Sequence, residues 1–364
     1  MNKIIYFTFL LYCLPSFAKK LNIILVMSDD QGWGQAGYFG KWHLNGLKGA
    51  GVPVLAEDPY GPNKFGFNEW LTVTNFFDLN PVLGHEEGFK EFEGDSSEII
   101  VVEALKFMKS QHDNNTPAFS VIWIGSPHQP FSASKADIEP FGMLENIKAR
   151  EHHAELKAMD RSIGTLRAGL REIGIADNTI IWFNIDNGGL AKKQTEVDSV
   201  GGLKGNKGSM YEGGLRVAGI IEWPSIIKPR ISKYPASTAD IMPTIIDVLE
   251  LSRDNMLDVI DGDSLKPLFE NDLSIRLKPI TFHFNQQSAA VIYNDYKIIQ
   301  MQIGVEEYEL YDLANDPKES INLIFQIPDI ATQMKAKLHE LTSSVEKSIA
   351  GKDYPSNKVS SNLI

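Results

Sequence analysis

The sequence is almost free of cysteine. Its 364 residues contain one, Cys13, which lies in an apolar N-terminal segment. The rest of the chain has no thiol, which excludes disulfides, zinc–thiolate sites and a cysteine nucleophile there. Positive charge is also scarce, because 35 lysines and arginines stand against 47 aspartates and glutamates, for a net charge of −12. This balance argues against nucleic acid or an anionic membrane as the main partner.

Long apolar runs are absent beyond the N-terminus, so the sequence predicts no transmembrane helix there. The first residues combine Lys3, an apolar run and the ending Ser16-Phe17-Ala18. This pattern is typical of a signal peptide that is cleaved after Ala18. A membrane anchor or a first core strand is less favoured, because the run is short and Pro15 interrupts it. The expected location is periplasmic or secreted, with no membrane contact after cleavage.

Three short apolar runs predict buried β-strands. They are LNIILVMS (21–28), AFSVIWIG (118–125) and NTIIWFNI (178–185). Each run is continuous rather than alternating, as expected for strands that are covered on both faces. Between them, residues 94–111 and 143–174 have helical spacing, and Asp95 and Glu98 stand in capping-box spacing at the first helix. Strands that alternate with helices predict an α/β fold with a mixed, mainly parallel sheet flanked by helices.

The C-terminal part has a different pattern from about residue 280. AAVIYNDYKIIQMQ (289–302) and EEYELYDLANDPKE (306–319) predict strands joined by polar turns, and a helix follows near 328–348. The predicted organisation is therefore a signal peptide over 1–18, an α/β domain over 19–280, and a small antiparallel subdomain with a terminal helix over 281–364.

Acidic and amide side chains follow the predicted strands. Asp29 and Asp30 follow the first strand, and Asp186 and Asn187 follow the third. Ligands of open parallel sheets bind beyond the carboxyl ends of the strands. Each motif alone is more often a turn or a helix N-cap. Together they place hard oxygen donors at one edge, which favours Ca²⁺, with Mg²⁺ as the second choice.

Four basic side chains are candidates for the same edge of the sheet: Lys41, His43, His128 and Lys207. With a metal, two lysines and two histidines would form a pocket for a tetrahedral oxyanion, in which a histidine protonates the leaving oxygen. His112, His152 and His153 are interpreted instead as surface or hydrogen-bonded residues.

A series of motifs resembles the sulfatase family, within the alkaline-phosphatase-like superfamily. The motifs are NIILVMSDDQGWG, GYFGKWHL, GSPHQPF, AMDRSIGTLRAGLREIGIADNTIIWFNIDNGG, LKGNKGSMYEGGLRVAGIIEWP, STADIMPTIIDVLEL, DGDSLKPLF and ELYDLANDPKESINL. They occur in the family's order through most of the chain. The resemblance implies an alkaline-phosphatase-like fold with a divalent cation, usually calcium. It implies Asp29, Asp30, Asp186 and Asn187 as metal ligands, and Lys41, His43, His128 and Lys207 as the catalytic residues that hold the sulfate.

One part of the family pattern is missing. Sulfatases carry their nucleophile in a Cys- or Ser-x-Pro-x-Arg motif, whose first residue is oxidised to formylglycine. In the family this motif lies between the acidic pair and the lysine–histidine motif, where this chain has only QGWGQAGYFG (31–40). The motif occurs nowhere else, and CLPSF at Cys13 lacks the arginine. The sequence therefore predicts an internal deletion between about residues 35 and 37.

The short interval also predicts a change in the sheet. Parallel neighbours need a connection of roughly a dozen residues or more. A strand that leads into FGKWHL is therefore not expected to be the neighbour of the first strand. We expect the sheet to lose one strand and a covering helix, and to expose apolar surface.

Three interpretations of function follow. The first is a sulfuric-ester hydrolase that acts on a sulfated carbohydrate or aryl sulfate. The second is a non-catalytic relative that binds metal or sulfated glycan, and the third is an inactive deletion product. The missing nucleophile favours the last two, and phosphodiester or phosphonate hydrolysis would need a nucleophile at the same place. Trp70, Phe76 and Phe77 belong either to the substrate rim or to the core. The sequence does not indicate an oligomeric state.

Overall fold

The computed structural model describes residues 21–27, 36–46, 51–75, 79–191, 199–256, 260–284 and 287–352. The predicted signal peptide, Asp29, Asp30, Phe76 and Phe77 lie outside these ranges. Within them, no helix has the length and apolar character needed to cross a membrane.

The larger of two sheets has eight strands in the order β5-β4-β3-β2-β6-β1-β7-β8. The strands are β1 (Asn22–Met27), β2 (Ala36–Lys41), β3 (Phe67–Val73), β4 (Val82–His85), β5 (Gly88–Glu91), β6 (Phe119–Trp123), β7 (Thr179–Asn184) and β8 (Gly219–Glu222). The five strands β3, β2, β6, β1 and β7 are parallel, whereas β4, β5 and β8 join by antiparallel pairing. This mixed, mainly parallel sheet confirms the predicted fold class.

The three strands predicted from continuous apolar runs lie at the centre of this sheet. They are β6, β1 and β7, and β1 pairs with the other two. Along β1, Ile24 and Val26 belong to one core cluster, and Ile23 and Leu25 to the other. Both faces of the strand are therefore buried, which is why its apolar pattern does not alternate.

Two long helices cover one face of the sheet. They are α1 (Ser96–Asp113) and α3 (Ile147–Ile173), and the short helix α2 (Lys135–Ile138) contacts α3. Asp95 caps α1 by accepting from the N–H groups of Ser97 and Glu98 at 2.9 and 3.3 Å. The Glu98 carboxylate binds Arg161 of α3 at 2.7 Å, so its capping-box spacing serves a contact between helices. α3 ends at Gly174, whose φ of 83° suits glycine.

The opposite face is filled by aromatic side chains. Tyr38, Trp42 and Trp123 are completely buried, and the ring centroid of Tyr38 lies 4.8 Å from that of Trp42 and 5.1 Å from that of Trp123. The prediction that the sheet exposes apolar surface is therefore wrong for the central strands. Among the strands of this sheet, the large exposed apolar side chains are Phe89 of β5 and Ile220 of β8, which are edge strands.

Strand β2 leads into FGKWHL and does not pair with β1. It lies parallel to β6 and β3, so β6 separates it from β1. Ala36 and Ile23 both pair with Phe119, so β2 and β1 start at the same level of the sheet. Residues 28–35 alone join the end of β1 to the start of β2. This connection is shorter than the roughly dozen residues that parallel strands need even as neighbours.

The smaller sheet is antiparallel, in the order β12-β11-β10-β9. Its strands are β9 (Ile280–Phe284), β10 (Ser288–Tyr293), β11 (Tyr296–Gln300) and β12 (Glu309–Asp312). The terminal helix α6 (Pro328–Ile349) packs against it through Ala331, Met334 and Leu338. Two short helices precede this sheet, α4 (Glu212–Leu215) and α5 (Ile241–Val248). The predicted small antiparallel subdomain is thus present.

Candidate functional site

A cleft opens beyond the carboxyl ends of the central strands. The ends are level, because Trp123 of β6 pairs with both Gly40 of β2 and Met27 of β1, and Met27 also pairs with Asn184 of β7. The cavity measures about 680 Å³. Five of the residues predicted from sequence line it: Lys41, His128, Asp186, Asn187 and Lys207.

Lys41 is the last residue of β2 and is buried to all but 8% of its surface. The preceding Gly40 has φ of 118°, and a Cβ on it would lie 1.8 Å from the carbonyl oxygen of Trp123. Glycine at this position therefore allows β2 to approach β6 closely. That approach holds the lysine side chain at the wall of the cleft.

His128 lies in the loop that follows β6 and is half-buried. Its Nδ1 is 2.7 Å from the carbonyl oxygen of Gln129. A carbonyl oxygen only accepts, so this hydrogen bond assigns a proton to Nδ1. Nε2 is therefore the ring nitrogen that gains or loses a proton without breaking the bond, as a general acid requires.

Asp186 and Asn187 follow β7 in a tight turn. Asn187 Nδ2 donates to Asp186 Oδ2, so the two side chains lie together. The Gly188 N–H donates to the Gly214 carbonyl at 2.9 Å, and a Cβ on Gly188 would lie 1.9 Å from the Gly213 oxygen. The sequence Asp-Asn-Gly-Gly thus forms the turn that the simpler interpretation expected, and this turn presents two oxygen-bearing side chains to the cleft.

Lys207 comes from the glycine-rich segment before α4. Its backbone N–H donates to the Gly189 carbonyl at 2.8 Å, and the Gly213 N–H donates to the Lys204 carbonyl at 2.8 Å. The first bond fastens the lysine loop to the Asp186–Asn187 turn, and the second joins the loop to α4. The Lys207 side chain is exposed, so it is accessible to a ligand from solvent.

His43 is placed differently from the other predicted residues. It is exposed, has φ of 45°, and is not among the described residues that line the cleft. Its N–H donates to the Thr74 carbonyl at 2.9 Å, while the preceding Trp42 is completely buried in the aromatic cluster. The lysine and histidine of this motif are thus separated by a residue that anchors the segment in the core.

Three titratable residues that line the cleft are not among the residues predicted from sequence: His152, His153 and Arg216. His152 was interpreted as a surface or hydrogen-bonded residue, yet it is 7% exposed and its Nδ1 has no partner among the described residues. Burial, with a smaller effect of the adjacent His153, lowers the pKa of His152 to about 4. His152 is therefore neutral at neutral pH. The His152 ring meets that of Phe131 edge-on, with the centroids 5.1 Å apart. The sequence does not reveal this contact, because the two residues are far apart along the chain.

The charge of the cleft favours an anionic ligand. Among the described lining residues, Lys41, Lys207 and Arg216 are cationic and Asp186 is the one carboxylate. In a chain with a net charge of −12, this is a local reversal of sign. Such a cluster attracts anions although the molecule as a whole repels them.

Two of the four predicted metal ligands, Asp186 and Asn187, are among the described residues. The described residues contain no group of three or more His, Cys, Asp or Glu side chains with metal-binding geometry. Asp186 and Asn187 supply a carboxylate and an amide oxygen, which fit a hard cation such as Ca²⁺. Asp29 and Asp30, the other predicted ligands, follow Met27 in the sequence and lie outside the described residues.

Comparison with known proteins gives a consistent family. The sulfatase family model matches residues 35–251, and the model of the N-sulphoglucosamine sulphohydrolase C-terminal region matches residues 205–344. N-acetylgalactosamine-6-sulfatase of Rattus norvegicus is 28% identical over 72% of this chain and 52% of its own length. An ulvan-active sulfatase of Formosa agariphila is 24% identical over 87% of this chain and 65% of its own length.

The fold is similar to that of solved structures. Ps i-CgsB, in complex with k-i-k-neocarrahexaose, superposes with a TM-score of 0.71 at 22% identity, over 84% of this chain and 70% of that chain. The chain spans about half the length of the first curated relative that it matches. Since the family model covers more than half of the chain, this protein belongs to the sulfatase family, within the alkaline-phosphatase-like superfamily.

Proposed function

We propose that this chain binds the sulfate group of a sulfated carbohydrate in the cleft beyond β2, β6 and β7. The carrying observation is the convergence of Lys41, His128, Asp186, Asn187 and Lys207 on one cavity. Relatives that match most of this chain are named for sulfated sugars, N-acetylgalactosamine-6-sulfatase and ulvan-active sulfatase. By family, the chemistry of such a site is hydrolysis of a sulfuric ester, and an aryl sulfate presents the same group.

The side chains have complementary roles toward a bound sulfate. The Lys41 and Lys207 ammonium groups offset the charge on the sulfate oxygens. His128, with its proton fixed on Nδ1 by Gln129, is suited to donate from Nε2 to the leaving oxygen. His43 is proposed for the same task on the strength of the family motif, with a displacement of its exposed side chain toward the cleft.

A divalent cation completes the proposed site. Asp29, Asp30, Asp186 and Asn187 would hold it, because β1 and β7 are neighbours whose ends are level. Four oxygen donors suit Ca²⁺ and also accept Mg²⁺. When bound, the cation supplies positive charge that stabilises the sulfate oxygens.

The group that attacks sulfur is absent from the proposed site. No Cys- or Ser-x-Pro-x-Arg motif occurs, and so no formylglycine is expected. The connection over residues 28–35 is too short for a usual parallel crossover, and the match to the sulfatase model begins at residue 35. Both observations support an internal deletion at this place. We therefore expect binding without turnover, either in a dedicated binding protein or in a deletion product.

Binding and turnover are measured separately to test this function. Calorimetric titration with galactose 6-sulfate in the presence of Ca²⁺ should show binding that Lys207→Ala weakens by about tenfold. Lys106→Ala, which removes an exposed lysine of α1, is the control and should bind as the wild type does. The wild type should hydrolyse an aryl sulfate no faster than the Asp186→Ala variant does. Absence of binding would refute the proposed ligand. Metal-dependent turnover that is lost in Asp186→Ala would refute the claim that the site has no nucleophile.

Export and gene structure have their own tests. Cleavage after Ala18 gives a mature chain that starts at Lys19, and the intact mass of the secreted protein would reveal it. A mass that retains residues 1–18 would contradict export by this route. Sequencing of the source DNA across Gln35 to Gly37 decides between a binding protein and an assembly artefact.

A further inference from the structure

Arg216 lies at the wall of the cleft and has no role in the proposed sulfate site. Two backbone hydrogen bonds run beside it, from Gly188 N to the Gly214 oxygen at 2.9 Å and from Ile185 N to the Ala218 oxygen at 3.3 Å. The segment that carries Arg216 is therefore fastened alongside Asp186. The Arg216 side chain is 47% exposed, so it is open to a ligand in the cleft.

A buried ionic network holds Arg216 in place. Its Nε donates to Glu212 Oε2 at 2.5 Å, and Glu212 Oε1 is 2.9 Å from Nζ of Lys297 in β11. Lys297 is completely buried and lies 2.9 Å from Oε1 of Glu319, whose other oxygen accepts the Glu212 N–H at 2.6 Å. Because Glu212 is fixed from several sides, the guanidinium is pre-organised, which lowers the entropy cost of binding a ligand.

The Arg216 guanidinium has N–H donors beyond the one that binds Glu212. Arg167 of α3 forms a comparable ion pair with Glu222 on another surface, and its side chain is 48% exposed. It donates to Glu222 from both Nε and Nη2, at 2.7 and 2.9 Å. Among the described residues, the side-chain hydrogen bond of Arg216 is the one from Nε. The two Nη groups of Arg216 thus present the forked donor pair that matches a carboxylate or a sulfate.

We propose that Arg216 binds a second anionic group on the same sugar chain, so that the ligand is a polyanionic carbohydrate. The second group is a further sulfate or the carboxylate of a uronic acid, both of which accept two parallel N–H bonds. Lys41 and Lys207 bind the first sulfate, and Arg216 binds the second. This inference rests on the proposed sulfate site and adds a class of ligand to it.

The test compares ligands on one protein sample. Calorimetric titrations use galactose 6-sulfate, a disulfated galactose, and a monosulfated disaccharide that contains a uronate. For the wild type, at least one two-anion ligand should bind about tenfold more tightly than galactose 6-sulfate. The preferred ligand identifies the second group as sulfate or carboxylate. The ratio of affinities does not depend on the folded fraction of a sample.

Variants test whether Arg216 is the source of this ratio of affinities. Arg216→Gln should reduce the ratio to about one, with galactose 6-sulfate as the reference ligand measured on the same variant. Arg216→Lys keeps a cation for Glu212 and should retain part of the ratio, and Arg167→Gln should retain all of it. A wild type that binds galactose 6-sulfate without preference for two anions would overturn this inference alone, as would an Arg216→Gln variant that keeps the preference. A wild type that binds none of the three would overturn the proposed sulfate site as well.

Discussion

Three buried charges of this protein, Lys297, Glu212 and Glu319, form one network. Lys297 is completely buried, and its ammonium group lies 2.9 Å from carboxylate oxygens of both Glu212 and Glu319. Burial raises the pKa of Glu319 against the opposing effect of Lys297. The Glu319 carboxylate therefore depends on the lysine for its stability as an anion.

Replacement of this lysine should be severely destabilising. We expect Lys297→Met to cost about 3–5 kcal/mol of unfolding free energy, because two buried carboxylates lose the buried cation between them. Urea denaturation measures the loss. Lys106→Met is the control, because that lysine is 63% exposed beside Glu103 and its pair is worth less than about 1 kcal/mol. Equal losses in the two variants would refute the network's importance.

His152 predicts a specific dependence of stability on pH. Its pKa is about 4 in the folded state, below its ordinary value of 6.5. As the pH falls below 6.5, His152 is protonated in the unfolded chain but stays neutral in the folded chain until about pH 4. The free energy of unfolding therefore falls between pH 6.5 and pH 4. The loss from this group is about 2 kcal/mol between pH 7 and pH 5. Urea denaturation at both values should show a smaller loss in His152→Phe than in the wild type.

A second histidine provides the comparison for that experiment. His112 is exposed on α1, and His112→Gln should lose as much stability on acidification as the wild type. If His152→Phe also loses as much as the wild type, the buried imidazole is not the source of the effect.

Single residues show where sequence reasoning succeeds and where it stops. Asp186 and His128 were predicted because they follow apolar strands directly, and the parallel sheet brings strand ends to one edge. The ion pair of Glu212 with Lys297 spans 85 positions and joins α4 to β11 of the smaller sheet, so local pattern does not reveal it. His152 likewise faces the cleft only because of how α3 is rotated on the sheet.

At the scale of elements, glycine marks where segments touch. Gly188 sits where a Cβ would lie 1.9 Å from the Gly213 oxygen, so the turn after β7 and the start of α4 are in backbone contact. Gly188→Ala should therefore separate them, at a cost of about 1–3 kcal/mol, and weaken sulfate binding. Thermal unfolding and titration with galactose 6-sulfate measure the two effects.

Gly164→Ala is the matched control for that substitution. Gly164 is exposed in the middle of α3, and a Cβ there would meet nothing within 4 Å. Alanine should raise stability by about 0.5–1 kcal/mol, because it restricts the unfolded chain and suits a helix. A Gly188→Ala protein as stable as the wild type would show that the backbone contact is not tight.

The strands differ in how visible they are in the sequence. β1, β6 and β7 are continuous apolar runs, and their positions were predicted to within one or two residues. β2 is AGYFGK, in which two glycines and a lysine hide a fully buried strand. β4, β5 and β8 have four residues each, too few for a period to be recognised.

At the scale of the molecule, the two sheets should unfold together. The predicted division at residues 280 and 281 falls at β9, yet Lys297 and Glu319 beyond it share a buried network with Glu212. All six tryptophans precede residue 224, so tryptophan fluorescence reports on the part of the chain before the smaller sheet. The 22 residues of α6 contain no tryptophan and are detected by circular dichroism. Urea transitions followed by tryptophan fluorescence and by far-ultraviolet circular dichroism should therefore coincide. Two separate midpoints would establish independent domains.

The strand order also determines when the chain can fold as it is synthesised. β1 is made first, yet its partners are β6 and β7, and Asn22 and Thr179 are 157 positions apart. At the usual rate of translation, the second edge of β1 stays open for roughly 10–30 s. Fragments released before residue 179 retain an unpaired, apolar edge that other chains can join. Premature termination of synthesis is therefore expected to yield aggregates rather than a smaller folded protein.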